Sequence, residues 1–286
     1  MIERVRIEGG IELAYERLGD GPPVLLIMGI GAQLVGWPDG FCAALVERGL
    51  QVVRFDNRDV GESTHLTGTP DLRDPRTAGY TLHDLARDTV GLMDALGLDG
   101  AHLVGASMGG FIAQTVAIDH PARVRSLTSM MSTTGAPGVG QPHPEALALF
   151  ARGTPRTRDE VVATMVQAAR VVGSTAFEVD LEAAAARAGR AYDRGYDPGG
   201  MLRQAAAVIA SGDRTEALGH VRVPALVIHG TADRMIDVSG GRATAAAIPG
   251  AELWLVDGLG HDLPRALWPA LAARIAALVT RSDAAG

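Results

Sequence analysis

Short strand-like runs alternate with amphipathic helical segments through the first half of the chain, and this alternation narrows the possible folds more than any other feature. Val24–Met28 is a continuous apolar run that ends at Gly29, as a strand buried on both faces requires. Gln51–Phe55, Ala101–Gly105 and Val124–Met130 also read as strands. Helical patterns lie between them. Pro38–Arg48 is one, stopped by Gly49. In a second, Leu82, Leu85, Val90, Met93 and Leu96 repeat at helical spacing behind a Thr81–Asp84 capping pair, with Gly97 as the stop. Met108–Asp119 is a third, ended by Pro121. Strand–helix–strand units joined by short connections predict parallel strand neighbours in a mostly parallel, doubly wound sheet. Ahead of them, Val5, Ile7, Ile11, Leu13 and Tyr15 flank Gly9-Gly10 and predict an antiparallel hairpin.

The alternation breaks after Ser132. Residues 133–144 hold three glycines and three prolines, a loop composition. Ala-rich helical segments follow from Pro144 to Ala217, with no convincing strand. Strand patterns resume at Ala225–Ile228 and Glu252–Val256, and Arg265–Val279 reads as a closing amphipathic helix. The expected organisation is a core of residues 1–132 and 218–286, interrupted by a helical cap or lid over residues 133–217. The tail, Arg281–Gly286, is expected to fray.

Composition sets outer limits. The 286 residues are 47% hydrophobic and 21% charged, enough apolar material for a large core. The net charge is -7 and no Lys/Arg cluster stands out, which argues against a nucleic-acid partner. The single cysteine, Cys42, sits in an apolar helical stretch and reads as a buried thiol; no intrachain disulfide can form. The opening residues lack the basic start and apolar run of a signal peptide, and no stretch of about 18 apolar residues could span a bilayer. The expectation is a soluble, cytoplasmic monomer or homodimer with no membrane partner.

Chemistry concentrates in Gly105-Ala106-Ser107-Met108-Gly109, a G-x-S-x-G pattern set between a strand and a helix. Glycines two residues either side of Ser107 suit a very tight turn in which side chains would strike the neighbouring strand and helix. The helix N-terminus also favours negative charge developing near the serine. A serine hydroxyl is a weak nucleophile and needs a base. His261, in Gly258-Leu259-Gly260-His261-Asp262, follows the last strand, and loops beyond strand carboxyl ends build the sites of open α/β sheets. His102 lies within a buried strand on the wrong side of the turn. His229 ends a strand and reads as structural. His65, His83, His120, His143 and His220 fall in loops or at helix ends.

An imidazole base needs an orienting carboxylate. Asp233 follows the strand before the histidine strand; Asp237 and Asp257 compete with it, and Asp233 has the better position. An oxyanion needs two backbone N–H donors. Met108, after the serine, offers one, and Ile30, in the loop Gly29-Ile30-Gly31, the other, with Gly29 as the alternative. The acidic loop Asp56–Ser63 does not have the spacing of a calcium loop and reads as a structural ion-pair loop. Gly29–Gly31 lacks the third glycine and the acidic residue of a dinucleotide fingerprint. No cofactor or metal is called for.

These features together resemble the α/β-hydrolase superfamily over nearly the whole chain. Ser107, Asp233 and His261 match its nucleophile, acid and base by motif and order, and Met108 and Ile30 match its usual oxyanion positions. Asp56-Asn57-Arg58-Asp59-Val60-Gly61-Glu62-Ser63 resembles the family's D-x-R-G-x-G-x-S loop, with Asp59 in place of the usual glycine. Met28-Gly29 replaces the common His-Gly. With Leu34-Val35-Gly36-Trp37-Pro38-Asp39, it is similar to the aclacinomycin methylesterase branch. The resemblance implies a serine carboxylic ester hydrolase acting on a small to medium or bulky apolar ester.

A cofactor-free perhydrolase or haloperoxidase-like enzyme, or a C–C bond hydrolase, would use the same three residues. A non-catalytic receptor on the same fold is the alternative from another class. A haloalkane dehalogenase would carry aspartate where Ser107 stands. Gly29, Met131, Phe150 and Tyr192 are candidate substrate-binding residues. Met130 and Met131 could floor the pocket; Phe150, Phe177, Tyr192 and Tyr196 either roof it or pack between cap helices. The helix from Pro144 to Ala151 is a candidate lid.

Overall fold

Strands buried at successive residues, with side chains alternating between the two faces, build a core on each side of one sheet. The computed structural model describes residues 1–150 and 154–285, the side chains of residues 150 and 285 excepted. The strands are β1 (Glu3–Arg6), β2 (Glu12–Leu18), β3 (Pro23–Ile27), β4 (Gln51–Phe55), β5 (Ala101–Ala106), β6 (Val124–Met130), β7 (Ala225–Gly230) and β8 (Glu252–Val256). Their order is β1-β2-β4-β3-β5-β6-β7-β8. The β1–β2 and β2–β4 pairs are antiparallel and all others parallel. The expected hairpin forms, with Gly9 and Gly10 both at φ 79° in its turn.

Val53, Leu25, Leu103, Leu127 and Ala225 stand side by side in register across the sheet. They share a core with Leu82, Leu85 and Met93 of α2 (Leu82–Ala95) and Ile112 and Val116 of α3 (Met108–Asp119). The alternate residues Val24, Leu26, Val52, Val104 and Ile228 point the other way. They pack with Phe41 and Leu45 of α1 (Asp39–Val46) and Leu271, Ile275 and Leu278 of α10 (Trp268–Ala285), the helix that follows α9 (Ser239–Ala247) and β8.

The tail is expected to fray from Arg281, but Arg281–Ala285 is helical. The closing helix begins later than Arg265 and runs to Ala285. The cause lies in β5. His102 occupies a buried position on the α10 face, where its Nδ1 meets Ser126 Oγ at 2.8 Å and its Nε2 lies 3.2 Å from Asp283 Oδ1. Arg281 also pairs with Glu252 at 2.6 Å. Two polar side chains from the sheet thus lie against polar groups of the last turns of the helix.

Between β6 and β7 the chain forms α4 (Pro144–Phe150), α5 (Arg158–Val172), α6 (Leu181–Gly195), α7 (Pro198–Ser211) and α8 (Thr215–Leu218), and among the described residues no strand. Side-chain caps start the long helices: Thr157 with Glu160 for α5, Asp180 for α6 and Asp197 for α7. The outgoing and returning connections meet in a seam. The Arg214 N–H donates to Thr134 O at 2.9 Å, its guanidinium donates to Thr133 O at 3.1 Å, and the Thr215 hydroxyl donates to that of Thr134 at 2.9 Å. Gly135 and Gly212 touch through their backbones; a Cβ on Gly135 would lie 2.5 Å from Gly212 O. The Arg214 guanidinium is buried over the Phe111 ring, 4.9 Å from its centroid, and burial pulls its pKa down to about 10.

Residues 56–63 are the ion-pair loop expected. Asp56 accepts the Leu34 N–H at 2.6 Å and the Arg194 guanidinium at 2.8 Å. Asp59 has φ 72°, which explains why the related motif carries glycine there; aspartate is among the few other residues that enter this region readily. The exchange adds three bonds: Asp59 accepts from Leu66 N–H (2.7 Å), Tyr80 O–H (2.8 Å) and the Arg203 guanidinium (2.9 Å).

At the β5–α3 turn the steric argument for the two glycines is borne out. A Cβ on Gly105 would lie 2.1 Å from Gly109 O, and one on Gly109 would lie 1.9 Å from Ile27 O. Both obstacles are backbone and neither can swing away. Gly105→Ala or Gly109→Ala should therefore destabilise by more than about 3 kcal/mol. Gly138→Ala, at φ 79° with no atom in the way, should cost only about 1 kcal/mol. Urea unfolding of the three variants checks this; equal losses would show that the close approach is not what the elbow glycines serve.

Candidate active site

Ser107 sits between β5 and the first turn of α3 with φ 56° and ψ -123°, a conformation uncommon for a residue with a side chain. The strain is held from three sides. The Ser107 N–H donates to Met130 O at 3.0 Å, and the Ser132 hydroxyl donates to Ser107 O at 3.0 Å. Gly29 abuts the side chain: a Cβ there would stand 3.0 Å from Ser107 Cβ and 3.4 Å from Oγ. Ser107 itself is only partly buried.

His261 and Asp233 lie at the same edge of the sheet, in the loops after β8 and β7. His261 Nδ1 is 2.8 Å from Asp233 Oδ2. Asp233 Oδ1 accepts the N–H groups of Met235 and Ile236, both at 2.9 Å, and its side chain is fully buried. A carboxylate only accepts, so the ring N–H that faces it is the one on Nδ1, and Nε2 is turned away from Asp233. The competing carboxylates are used elsewhere: Asp237 accepts the Ser239 N–H at 3.0 Å, and Asp257 the Thr231 hydroxyl at 2.9 Å. His229 is buried, with Nε2 2.8 Å from Ile236 O.

The first turn of α3 and the Gly29–Gly31 loop supply the two amides picked as oxyanion donors. Among the described residues, neither the Met108 nor the Ile30 N–H has a hydrogen-bond acceptor. Met131, which follows β6, is buried with φ 42°, and its N–H donates to Ile228 O at 2.9 Å. Tyr192 stacks on Tyr196, with centroids 5.6 Å apart, and donates to Arg156 O at 3.3 Å; these contacts lie within the helical insertion. The side chain of Phe150 lies outside the described residues. The same holds for Ala151 at the end of the candidate lid helix.

One part of the site had no sequence signal. The end of α5 clamps the histidine loop: His261 N–H donates to Val172 O (2.7 Å), Thr175 N–H to Gly258 O (2.8 Å), and Ser174 Oγ–H to Asp262 Oδ1 (2.5 Å). Ser174 Oγ in turn accepts the Gly260 N–H at 3.0 Å. Burial pushes the Asp262 carboxyl up, against the lowering effect of its Ser174 bonds. Asp262 could be noticed next to His261, but its partner lies 88 residues away.

Asp59, His65 and Asp197 bring donor atoms within 4.8 Å of one another, a geometry that could hold a cation. The Arg203 guanidinium already bridges Asp59 Oδ1 (2.9 Å) and Asp197 Oδ2 (2.7 Å), so the cluster is an ion-pair hub.

A mostly parallel eight-stranded sheet, a strained serine at a strand–helix elbow and an aspartate-bound histidine beyond the last strands define a hydrolase of the α/β class. The chain belongs to the alpha/beta hydrolase fold family, whose model matches residues 22–264. It is 28% identical over 288 residues to rhodomycin D methylesterase DnrP of Streptomyces peucetius, covering 93% of this chain and 94% of that protein. It is 30% identical over 265 residues to 2-hydroxy-6-oxononadienedioate/2-hydroxy-6-oxononatrienedioate hydrolase 1 of Dechloromonas aromatica, covering 90% and 88%. Among solved structures it is similar to the enol-lactonase from Burkholderia xenovorans LB400, with a TM-score of 0.75, 26% identity and coverage of 97% and 100%. No helix among the described residues is long and apolar enough to cross a membrane.

Burial lowers the pKa of His229, so the folded state holds it neutral while the unfolded chain takes up a proton below about pH 6.5. Stability from this residue is therefore present above that pH and is lost as pH falls toward the folded-state value. In that window the wild type should lose up to about 1.4 kcal/mol per pH unit more than His229→Gln, whose amide can still donate to Ile236 O. Urea unfolding from pH 7.5 to 5 checks it; parallel curves would refute the assignment.

Proposed function

We propose that this chain is a serine carboxylic ester hydrolase that works through an acyl-enzyme. The observation that carries the reading is a strained, partly exposed Ser107 on the same sheet edge as an imidazole whose Nδ1 is tied to Asp233 at 2.8 Å. The methylesterase relative supports the choice of ester. In this reading Ser107 Oγ attacks the ester carbonyl carbon as His261 Nε2 accepts its proton. The tetrahedral oxyanion is bound by the Ile30 and Met108 N–H groups, which no acceptor among the described residues competes for. The C–O bond then breaks and His261 protonates the departing alkoxide. A water deprotonated by the same nitrogen attacks the acyl-serine, the acyl–Oγ bond breaks as His261 returns the proton to Ser107 Oγ, and the acid leaves. Asp233 stabilises the imidazolium in both halves.

Residues 133–217 act as a cap over the core of residues 1–132 and 218–286, and Gly29, Met131 and Tyr192 contribute to the substrate pocket. Hydrolysis of a C–C bond beside a carbonyl is the second reading, favoured by the Dechloromonas relative. Both chemistries need a serine nucleophile or base, so the substrate decides between them.

Aryl and methyl esters of graded acyl bulk, assayed beside a 2-hydroxy-6-oxo-dienoate and a peracid-formation reaction, test the proposal. Ester turnover is expected to dominate. Ser107→Ala should lower kcat by about 10⁴-fold or more and Asp233→Asn by about 10³- to 10⁴-fold. Unchanged ester turnover in Ser107→Ala, or no ester turned over by the wild type, overturns it.

A further inference from the structure

We infer that Gln204, on α7 of the helical insertion, is a positioning residue for the oxyanion loop. Its side chain is fully buried. Oε1 accepts the Gly31 N–H at 2.8 Å, and Nε2 donates to Arg58 O at 2.8 Å. The two partners fix the amide's direction without ambiguity. Arg58 O can only accept, so the NH₂ end must face it and the oxygen must face Gly31. A flipped Ile30–Gly31 peptide would aim a carbonyl at Oε1, oxygen against oxygen. Gln204 therefore permits one orientation of that peptide.

The loop needs such a restraint. Gly31 has φ 68°, and Gly29 is kept free of a side chain by Ser107. Two glycines around one residue leave the backbone many conformations to choose from. Within the loop, the Ala32 N–H donates to Gly29 O at a long 3.2 Å. Ile30 is β-branched and its own torsions are narrowly limited, so fixing the peptide on its carboxyl side limits the N–H on its amino side. Gln204 is itself delivered by a rigid contact. A Cβ on Gly200, one turn earlier, would lie 1.9 Å from Asp59 O, and Arg203 pairs with Asp59 at 2.9 Å. Met201 packs on Gly31 from the same helix, its Cγ 3.1 Å from where a Cβ would stand. Gly200, Arg203 and Gln204 lie on one helical face. The cap helix thus helps to build the catalytic machinery as well as to cover it.

The inference rests on Ile30 being an oxyanion donor, as in the proposed ester hydrolysis. The test is p-nitrophenyl acetate hydrolysis by wild type, Ser107→Ala, Gln204→Met and Gln204→Glu. Rates for all but Ser107→Ala are expressed per serine labelled to completion with a fluorophosphonate, so that unfolded protein is not counted. Gln204→Met should lower kcat about 10- to 100-fold with KM changed less than about threefold, since a displaced oxyanion donor weakens the transition state selectively. Gln204→Glu should be rescued by acid. Its protonated form can donate to Arg58 O and accept from Gly31 N–H, whereas the ionised form cannot donate. The ratio of its kcat to that of the wild type should therefore fall as pH rises. Wild-type turnover per labelled serine in Gln204→Met overturns the inference, and so does a Gln204→Glu ratio that does not move with pH; either leaves the esterase reading standing. Undiminished turnover in Ser107→Ala brings down that reading and the inference with it.

Discussion

A strand that turns directly into a helix leaves no room for side chains on either side of the bend, and this exclusion shapes the centre of the molecule. Gly105 touches Gly109, and Gly109 touches the carbonyl of Ile27 on the neighbouring strand. The contact sets how closely α3 approaches the sheet. It also puts Ser107 at φ 56°, a conformation that costs on the order of 1–3 kcal/mol and persists only where surroundings over-determine it. Here the surroundings are Gly29 after β3, Met130 of β6 and the Ser132 hydroxyl. The same bend leaves the Met108 amide at the helix N-terminus without an acceptor among the described residues, so one local geometry supplies both a presented hydroxyl and an N–H beside it.

Around this centre, polar side chains arrange the parts that the sheet does not. Asp56 and Asp59 are buried carboxylates paired with Arg194 and Arg203 of the inserted helices. Such pairs are weak arguments for net stability, because desolvation offsets much of their attraction. Breaking one partner is costly, which makes them effective at fixing how α6 and α7 dock. The end of α5 does the equivalent for the histidine loop through Ser174 and Asp262. The proposed cap therefore reaches both sides of the site, with α7 at the Gly29–Gly31 loop and α5 at His261.

Much of this was legible in the sequence, for physical reasons. The both-face burial of β3 shows as an unbroken apolar run, and the elbow shows as glycines at fixed offsets from Ser107. The preference for Asp233 over Asp237 followed from its place after β7, and Asp233 is the carboxylate that meets His261. Contacts set by distant segments left no local trace. Arg281–Gly286 looks like a loose end until Asp283 is seen against His102. Gln204 sits in Ala-rich helical text and Ser174 just past a Val-rich helix, with nothing to mark them. Asp59 was an intermediate case. A non-glycine at a glycine position was visible, but its reward, three hydrogen bonds to separate segments, was not.

The seam at Thr133–Gly135 and Gly212–Thr215 has a consequence for how such chains can diversify. Exit and return of the inserted helices cross at one knot of backbone contacts, closed by Arg214 against Phe111 of α3. Everything between the two ends can be lengthened, shortened or exchanged while the sheet keeps its register, provided the knot is kept. Recombination at these two points would transplant the inserted helices as a cassette. The receiving core would then have to rebuild only the few bonds by which α5, α6 and α7 grip it.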